Sequence, residues 1–160
     1  MSRIDSYMER EIGWVVVQGV IFALFVFAVV FGDTLNEVPG LIFARMVGVV
    51  IGVGGAGVAL WALVAHGGVV SPLPRPVENA QLIDSGPYRH VRHPMYSGVV
   101  IFTLGVGLAY ANPAVLLVSA TFLVFFMAKT EREEEMLVVR VEGYRAYRSE
   151  VAWRIIPFVM

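Results

Sequence analysis

The sequence is 160 residues long, 58% of its residues are hydrophobic and only 16% are charged. Soluble domains usually have about 25% charged and about 45–50% apolar residues, and so short a chain has too little interior to bury this apolar surface. The formal net charge of −1 argues against a nucleic-acid partner, and the absence of cysteine excludes disulfides, thiolate metal sites and cysteine nucleophiles. The composition therefore predicts a single integral membrane domain over residues 1–160.

Four apolar segments follow one another along the chain, and we predict that each forms a membrane-spanning helix of an all-α bundle. About 20 helical residues cross a hydrocarbon core of roughly 30 Å, and the first two segments are close to this length or exceed it. The last two are shorter, so we expect each of them to extend into its polar flank. The predicted spans are residues 14–31, 41–65, 96–111 and 114–128.

Two local patterns refine this bundle. Gly48 and Gly52 lie four residues apart in the second span, a spacing at which small residues let membrane helices pack closely. Asn112 and Pro113 separate the third and fourth spans; asparagine suits a turn, and proline suits the first turn of a new helix. A tight helical hairpin is therefore predicted between these two spans.

The distribution of charged residues indicates the orientation of the bundle. The connection after the first span contains Asp33 and Glu37 but no basic residue, and Lys and Arg collect on the cytoplasmic side of membranes. We therefore predict a multi-pass protein of an inner or plasma membrane with both termini in the cytoplasm, and a retained N-terminal anchor rather than a cleaved signal. The basic residues of the other connection and the tail are Arg75, Arg89, Arg92, Lys129, Arg132, Arg140, Arg145, Arg148 and Arg154.

Two polar segments, residues 71–96 and 129–157, hold nearly all the side chains suited to chemistry. If they meet at one mouth of the bundle, their basic and acidic clusters would suit a zwitterionic ligand. Basic residues at a membrane surface also serve topology and lipid head groups, and a charge run is commonly a solvated face, so charge alone identifies no ligand. The clusters are Arg89, Arg92 and His93 on one side and Glu131, Glu133, Glu134 and Glu135 on the other.

The tail is predicted to be helical. No proline interrupts residues 129–142, so the fourth helix is expected to continue beyond the membrane, and Gly143 could end it. A second, short amphipathic helix through Tyr144, Tyr147 and Val151 would rest its aromatic side on the membrane surface or on the domain.

A metal site is not predicted. His66, His90 and His93 are the only histidines of the sequence, and they form no His-Glu-x-x-His type of signature on a helix.

Five motifs in order cover residues 71–157: Ser71-Pro-Leu-Pro74; Leu82-Ile-Asp-Ser-Gly-Pro-Tyr-Arg-His-Val-Arg-His-Pro-Met-Tyr96 with Gly98; Glu133-Glu134-x-x-Leu137; Tyr144-x-x-Tyr147; and Arg154-x-x-Pro157. On these motifs the chain resembles the isoprenylcysteine carboxyl methyltransferase family of integral membrane enzymes, which includes phospholipid N-methyltransferase relatives. The element Gly-Pro-Tyr-x-x-Val-Arg-His-Pro-x-Tyr is the most specific of them.

The resemblance implies a bundle with a cytoplasmic, helical cofactor-binding region and S-adenosylmethionine as the methyl donor. It implies that Glu134 and Arg154 are the catalytic residues, with Arg154 holding a substrate carboxylate. The cofactor-binding residues that it implies are Tyr88, His93, Pro94, Tyr96, Glu134 and Tyr147.

The acceptor is expected to be lipophilic and to reach the site from the bilayer between helices, with an isoprenylcysteine-like carboxylate as the first candidate. A phospholipid or a small thiol is an alternative. A nicotinamide-dependent membrane reductase is another, because some sterol reductases share a similar Arg-His-Pro-x-Tyr element, although those chains are usually longer. A non-catalytic scaffold or transporter subunit is a further alternative, but Arg45 is the only ionisable residue within the predicted spans, which does not suit a permeation path.

Overall fold

The computed structural model describes residues 3–36, 40–67 and 81–157, and every regular element in these ranges is a helix. The predicted all-α class is therefore confirmed for the described residues. The motif Ser71-Pro-Leu-Pro74 and Arg75 lie outside them. The helices are α1 (Arg3–Phe31), α2 (Leu41–Ala65), a short 3-10 helix (Gly86–Arg89), α3 (Pro94–Ala109), α4 (Pro113–Arg140) and α5 (Tyr144–Glu150).

The helix ends follow the local sequence closely. α2 has the predicted bounds, and α4 continues through the polar tail as expected. The third segment extends into its polar flank as expected, since α3 begins at Pro94, but its predicted end at residue 111 is wrong, since α3 stops at Ala109. The chain must reverse there, and Ala111 adopts a positive φ of 50° to do so.

Three helices of the described ranges are long and apolar enough to cross a membrane. Many of their large apolar side chains face outward, among them Phe31 and Phe43, which are 70% and 73% exposed. So much exposed apolar surface on a folded chain marks contact with lipid. α3 has 16 residues, a rise of about 24 Å, and is shorter than the usual span. The three helical stretches are Ile12–Phe31, Leu41–Ala65 and Pro113–Arg140.

Glycine brings α2 and α3 together, as the spacing of Gly48 and Gly52 predicts. A Cβ on Gly55 would overlap the backbone of Phe102, and a Cβ on Gly105 would overlap the backbone of Gly52. Small residues replace side-chain packing with backbone-to-backbone contact, which is a common way for membrane helices to associate. The glycine-rich face of α2 is therefore closed against α3, and it offers no opening for a lipid along this contact.

Asn112 organises the opposite end of the bundle from the polar segments. Its Oδ1 accepts hydrogen bonds from the backbone N–H groups of Ala114 (3.0 Å) and Val115 (3.2 Å), so it caps α4 in the predicted hairpin. Its Nδ2 donates to the carbonyl of Ala28 on α1 at 2.9 Å. The backbone N–H of Leu35 donates to the carbonyl of Ala111 at 2.9 Å. The segment that follows α1 and the turn between α3 and α4 therefore lie at the same end of the bundle.

Candidate functional site

The segment before α3 and the segment after α5 lie side by side and are joined by backbone hydrogen bonds. The N–H of Arg92 donates to the carbonyl of Trp153, and the N–H of His93 donates to the carbonyl of Arg154, both at 2.9 Å. Pro94 occupies the first turn of α3, where its missing N–H costs nothing. Two stretches about sixty residues apart along the chain are thus held side by side at the start of α3.

Glu134 lies at the centre of this end of the bundle. It is carried by α4 and is only 1% exposed. Arg92 binds it with two donors: Nε lies 2.7 Å from Oε1 and Nη2 lies 3.3 Å from Oε2. The Nε2 atom of His93 lies 3.2 Å from the same Oε1. A bidentate arginine and a histidine therefore satisfy a carboxylate that water does not reach.

Two further arginines surround the same carboxylate from the C-terminal region. The Nε of Arg148 lies 3.3 Å from Oε2 of Glu134, and the Nε of Arg154 lies 3.6 Å from Oε1. Three guanidinium groups and an imidazole thus face one buried carboxylate. This gives the site a local excess of positive charge, which suits an anionic ligand group.

Arg92 was not among the predicted site residues, yet it holds the site together. Its Nη1 donates to the carbonyls of Val151 at 2.6 Å and Ala152 at 2.8 Å, so it also ties down the chain that leaves α5. In the sequence it is one basic residue among several near a membrane surface. The available signal is its fixed place in the element Gly-Pro-Tyr-x-x-Val-Arg-His-Pro-x-Tyr, directly before His93.

Tyr96 packs against two other rings. His93 stacks on it with centroids 5.7 Å apart, and Phe126 stacks on it with centroids 4.5 Å apart. Its hydroxyl donates to Oε2 of Glu133 at 3.1 Å. The two adjacent glutamates consequently have different partners: Glu134 binds the cations and Glu133 binds the phenol.

Tyr88, Tyr144 and Tyr147 form an aromatic cluster beside the ion-pair site. The hydroxyl of Tyr147 donates to the carbonyl of Tyr88 at 2.7 Å. Burial raises the pKa of Tyr147 and raises the pKa of Tyr88 to about 12, so both phenols remain protonated donors at neutral pH. The buried hydroxyl of Tyr144 has no hydrogen-bond partner among the described residues.

The structure thus brings His93, Pro94, Tyr96, Glu134 and Arg154 into one site. The predicted residues Tyr88 and Tyr147 contact one another next to it. The described part of the chain contains no group of three or more carboxylate or histidine side chains arranged to hold a metal ion.

A cavity of about 330 Å³ opens next to the ion pairs, between α4 and the C-terminal segment. Its polar end is formed by Arg92 and Arg154, and its remaining wall is largely aliphatic. The cavity therefore combines positive charge with an apolar surface. Its lining residues are Arg92, Leu123, Met127, Ala152, Arg154, Ile155 and Ile156.

The burial of Glu134 leads to a stability prediction. Glu134→Gln should leave Arg92 and His93 buried without a negative partner, which typically costs about 3–5 kcal/mol of the free energy of unfolding. Glu135→Gln is the matched control, because Glu135 is exposed and pairs with Arg132 at the surface, where a pair contributes less than about 1 kcal/mol. Reversible unfolding of both variants in mixed micelles checks this. Equal stabilities of the two variants would contradict it.

The comparison with protein families identifies the chain. A family model described as phospholipid methyltransferase matches residues 43–143, which is more than half of the sequence and includes Arg92, His93, Tyr96 and Glu134. The comparison with curated proteins gives no match. The chain belongs to the phospholipid methyltransferase family, a family of integral membrane methyltransferases related to the isoprenylcysteine carboxyl methyltransferases.

Proposed function

We propose that the chain binds S-adenosylmethionine at the site around Glu134 and transfers its methyl group to a lipophilic acceptor. The observation that carries the proposal is the meeting of three motifs that are distant in sequence. The His-Pro-x-Tyr turn, the end of α4 at Glu134 and the C-terminal Arg154 all lie within contact distance of one another. Family membership supplies the reaction class, and favours a methyltransferase over the reductase and scaffold alternatives.

The residues of the site fit the chemistry of this donor, which carries a carboxylate, an ammonium group, hydroxyls and a positively charged sulfur. Arg148 is 45% exposed at its side chain and can take a carboxylate in addition to Glu134. The half-buried Glu133 suits an ammonium or hydroxyl group. The buried hydroxyl of Tyr144 has no partner within the described ranges and can donate to a ligand oxygen. These three side chains border the proposed binding set, which is Tyr88, His93, Pro94, Tyr96, Glu134 and Tyr147.

When bound, the donor supplies an already activated methyl group, so alignment of the reactants is the main task left to the protein and is worth roughly 7–11 kcal/mol. Glu134 contributes by fixing Arg92 and His93 in place rather than by accepting a proton, since its two oxygens are already engaged. His93 in turn orients the ring of Tyr96. The site is thus pre-organised by contacts between its own side chains.

The cavity beside the ion pairs supports a lipophilic acceptor with an anionic group. Arg154 is partly exposed and lies between Glu134 and the cavity, so it is our candidate for holding that anion. Leu123 and Met127 on α4 offer an apolar wall for a chain coming from the bilayer. An isoprenylcysteine-like carboxylate is the first candidate, because a carboxylate nucleophile needs no general base.

A phospholipid is the second candidate, because the family model that matches the chain is described by that substrate class. A phosphate would satisfy Arg154 as well as a carboxylate does. The methylated atom would then be an amine, which has to lose a proton before it can attack. A small thiol would leave the aliphatic wall of the cavity unused.

We further propose that α3 is a fourth membrane span and that the site faces the cytoplasm. The connection after α1 and the connection between α3 and α4 both lie at the Asn112 end. The helices α1, α2, α3 and α4 therefore alternate in direction. The arginines of the site all lie at the other end, which is the end that the positive-inside rule assigns to the cytoplasm.

Single-cysteine labelling tests this topology directly, because the sequence has no native cysteine. A membrane-impermeant thiol reagent added to intact cells should label Thr34→Cys and Tyr110→Cys. Glu131→Cys and Arg145→Cys should react only after the cells are broken open. Labelling of all four variants from one side of the membrane would refute the four-span arrangement.

Donor binding is the second test of the proposed function. Calorimetric titration of the purified protein in lipid-like micelles should show saturable binding of S-adenosylmethionine. His93→Ala should weaken it about tenfold, as expected for the loss of one polar contact and a stacked ring. His90→Ala, an exposed histidine three residues earlier, is the control and should bind normally. A folded protein that binds no donor would exclude the proposal.

The chemical stability of the product identifies the acceptor. With a donor labelled in its methyl group, carboxyl methylation yields a methyl ester that mild base releases as volatile methanol, whereas N-methylated phospholipid keeps its label. We expect base-labile label in the lipid extract. Arg154→Gln should raise the KM for the acceptor about tenfold or more while the donor affinity changes little. Base-stable label that stays with the phospholipid fraction would exclude the carboxylate in favour of the phospholipid.

A further inference from the structure

Helix α1 carries one strongly polar side chain within its apolar stretch, Gln18, and this side chain reaches α4. The Nζ of Lys129 donates to Oε1 of Gln18 at 2.5 Å. Lys129 is 1% exposed, and it lies on α4 one turn before Glu133. A buried ammonium requires hydrogen-bond acceptors, and α1 supplies one of them.

Lys129 also lies over the ring of Tyr96. Its Nζ is 5.4 Å from the ring centroid, within the range of a cation–π contact. The hydroxyl of Tyr96 donates to Glu133, and its ring stacks on those of His93 and Phe126. Gln18 is thus connected to the centre of the candidate site through two contacts in sequence, from its amide oxygen to Lys129 and from Lys129 to Tyr96.

We propose that Gln18 is a positioning residue for the donor site, acting through Lys129 on the ring of Tyr96. A lysine has four rotatable bonds, so the place of its ammonium group depends on the acceptors that hold it. The Gln18 oxygen is one of them, and without it the ammonium is held less firmly over Tyr96, which weakens one of the contacts that orient the ring. α1 lies outside residues 43–143, the range matched by the family model, so this contribution belongs to a part of the chain that the match does not reach.

The variants that test this proposal differ in the acceptor at position 18. Gln18→Met removes the oxygen at similar side-chain volume, whereas Gln18→Glu keeps an oxygen at the same place. Val17→Met is the matched control, because Val17 faces outward on the same helix and is 48% exposed. We expect Gln18→Met to weaken donor binding about tenfold, and Gln18→Glu and Val17→Met to bind like the native protein.

A second measurement needs no ligand, which matters because the inference rests on the proposed function. The sequence has six tyrosines, and the NMR signal of ring-labelled Tyr96 is the one that disappears in Tyr96→Phe. Gln18→Met should shift the Tyr96 signal, and Gln18→Glu should restore it. If Gln18→Met does not fold, Gln18→Asn is used instead. Its side chain is shorter by one methylene, so its amide oxygen lies farther from the ammonium group of Lys129.

The outcomes separate the two proposals. An unchanged Tyr96 signal together with native donor affinity in Gln18→Met would overturn the role of Gln18. A shifted Tyr96 signal in a protein that binds no donor would keep that role and overturn the proposed function. A loss of thermal stability that Gln18→Glu does not restore, without a Tyr96 shift, would reduce Gln18 to a structural contact and also overturn the inference.

Discussion

The buried ion pair between Arg92 and Glu134 is the interaction on which the polar end of the molecule depends. Removing two charges from water costs several kcal/mol for each, and only close geometry with additional hydrogen bonds offsets this cost. Arg92 meets that condition, since it donates to both oxygens of Glu134 and to the carbonyls of Val151 and Ala152. One guanidinium therefore joins the segment before α3, the end of α4 and the chain after α5.

The three arginines around Glu134 differ in how much of their side chain remains exposed. Arg92 is 8% exposed and donates through all three nitrogens of its guanidinium group, so it holds the structure together. Arg148 and Arg154 approach Glu134 through their Nε atoms and keep 45% and 24% of their side chains exposed. A single carboxylate cannot neutralise three guanidinium groups, and the surplus charge lies on the two exposed ones. The guanidinium groups that remain accessible are therefore those of the C-terminal region, where Arg154 also borders the apolar cavity.

The sequence predicts those features that local chemistry decides. The apolar length of α2, the hairpin at Asn112 and the close packing of Gly48 and Gly52 follow from residues near one another in the chain. The early end of α3 and the role of Arg92 do not, because both depend on how distant segments align. Family motifs single out Glu134 and His93, but they carry no information on burial, and burial makes Glu134 an element of the fold as well as of the site.

Stacked rings connect the apolar interior to the site. Phe122, Phe126, Tyr96 and His93 follow one another with interplanar angles of 13–16°, and Phe22 of α1 packs edge-on against Phe122. Aromatic side chains have few rotatable bonds, so such a column transmits position with little loss. α1 is therefore connected to the column at two places, at Phe122 through Phe22 and at Tyr96 through the contact of Gln18 with Lys129. A helix that is otherwise exposed to lipid along most of its surface is thereby made part of the support for His93.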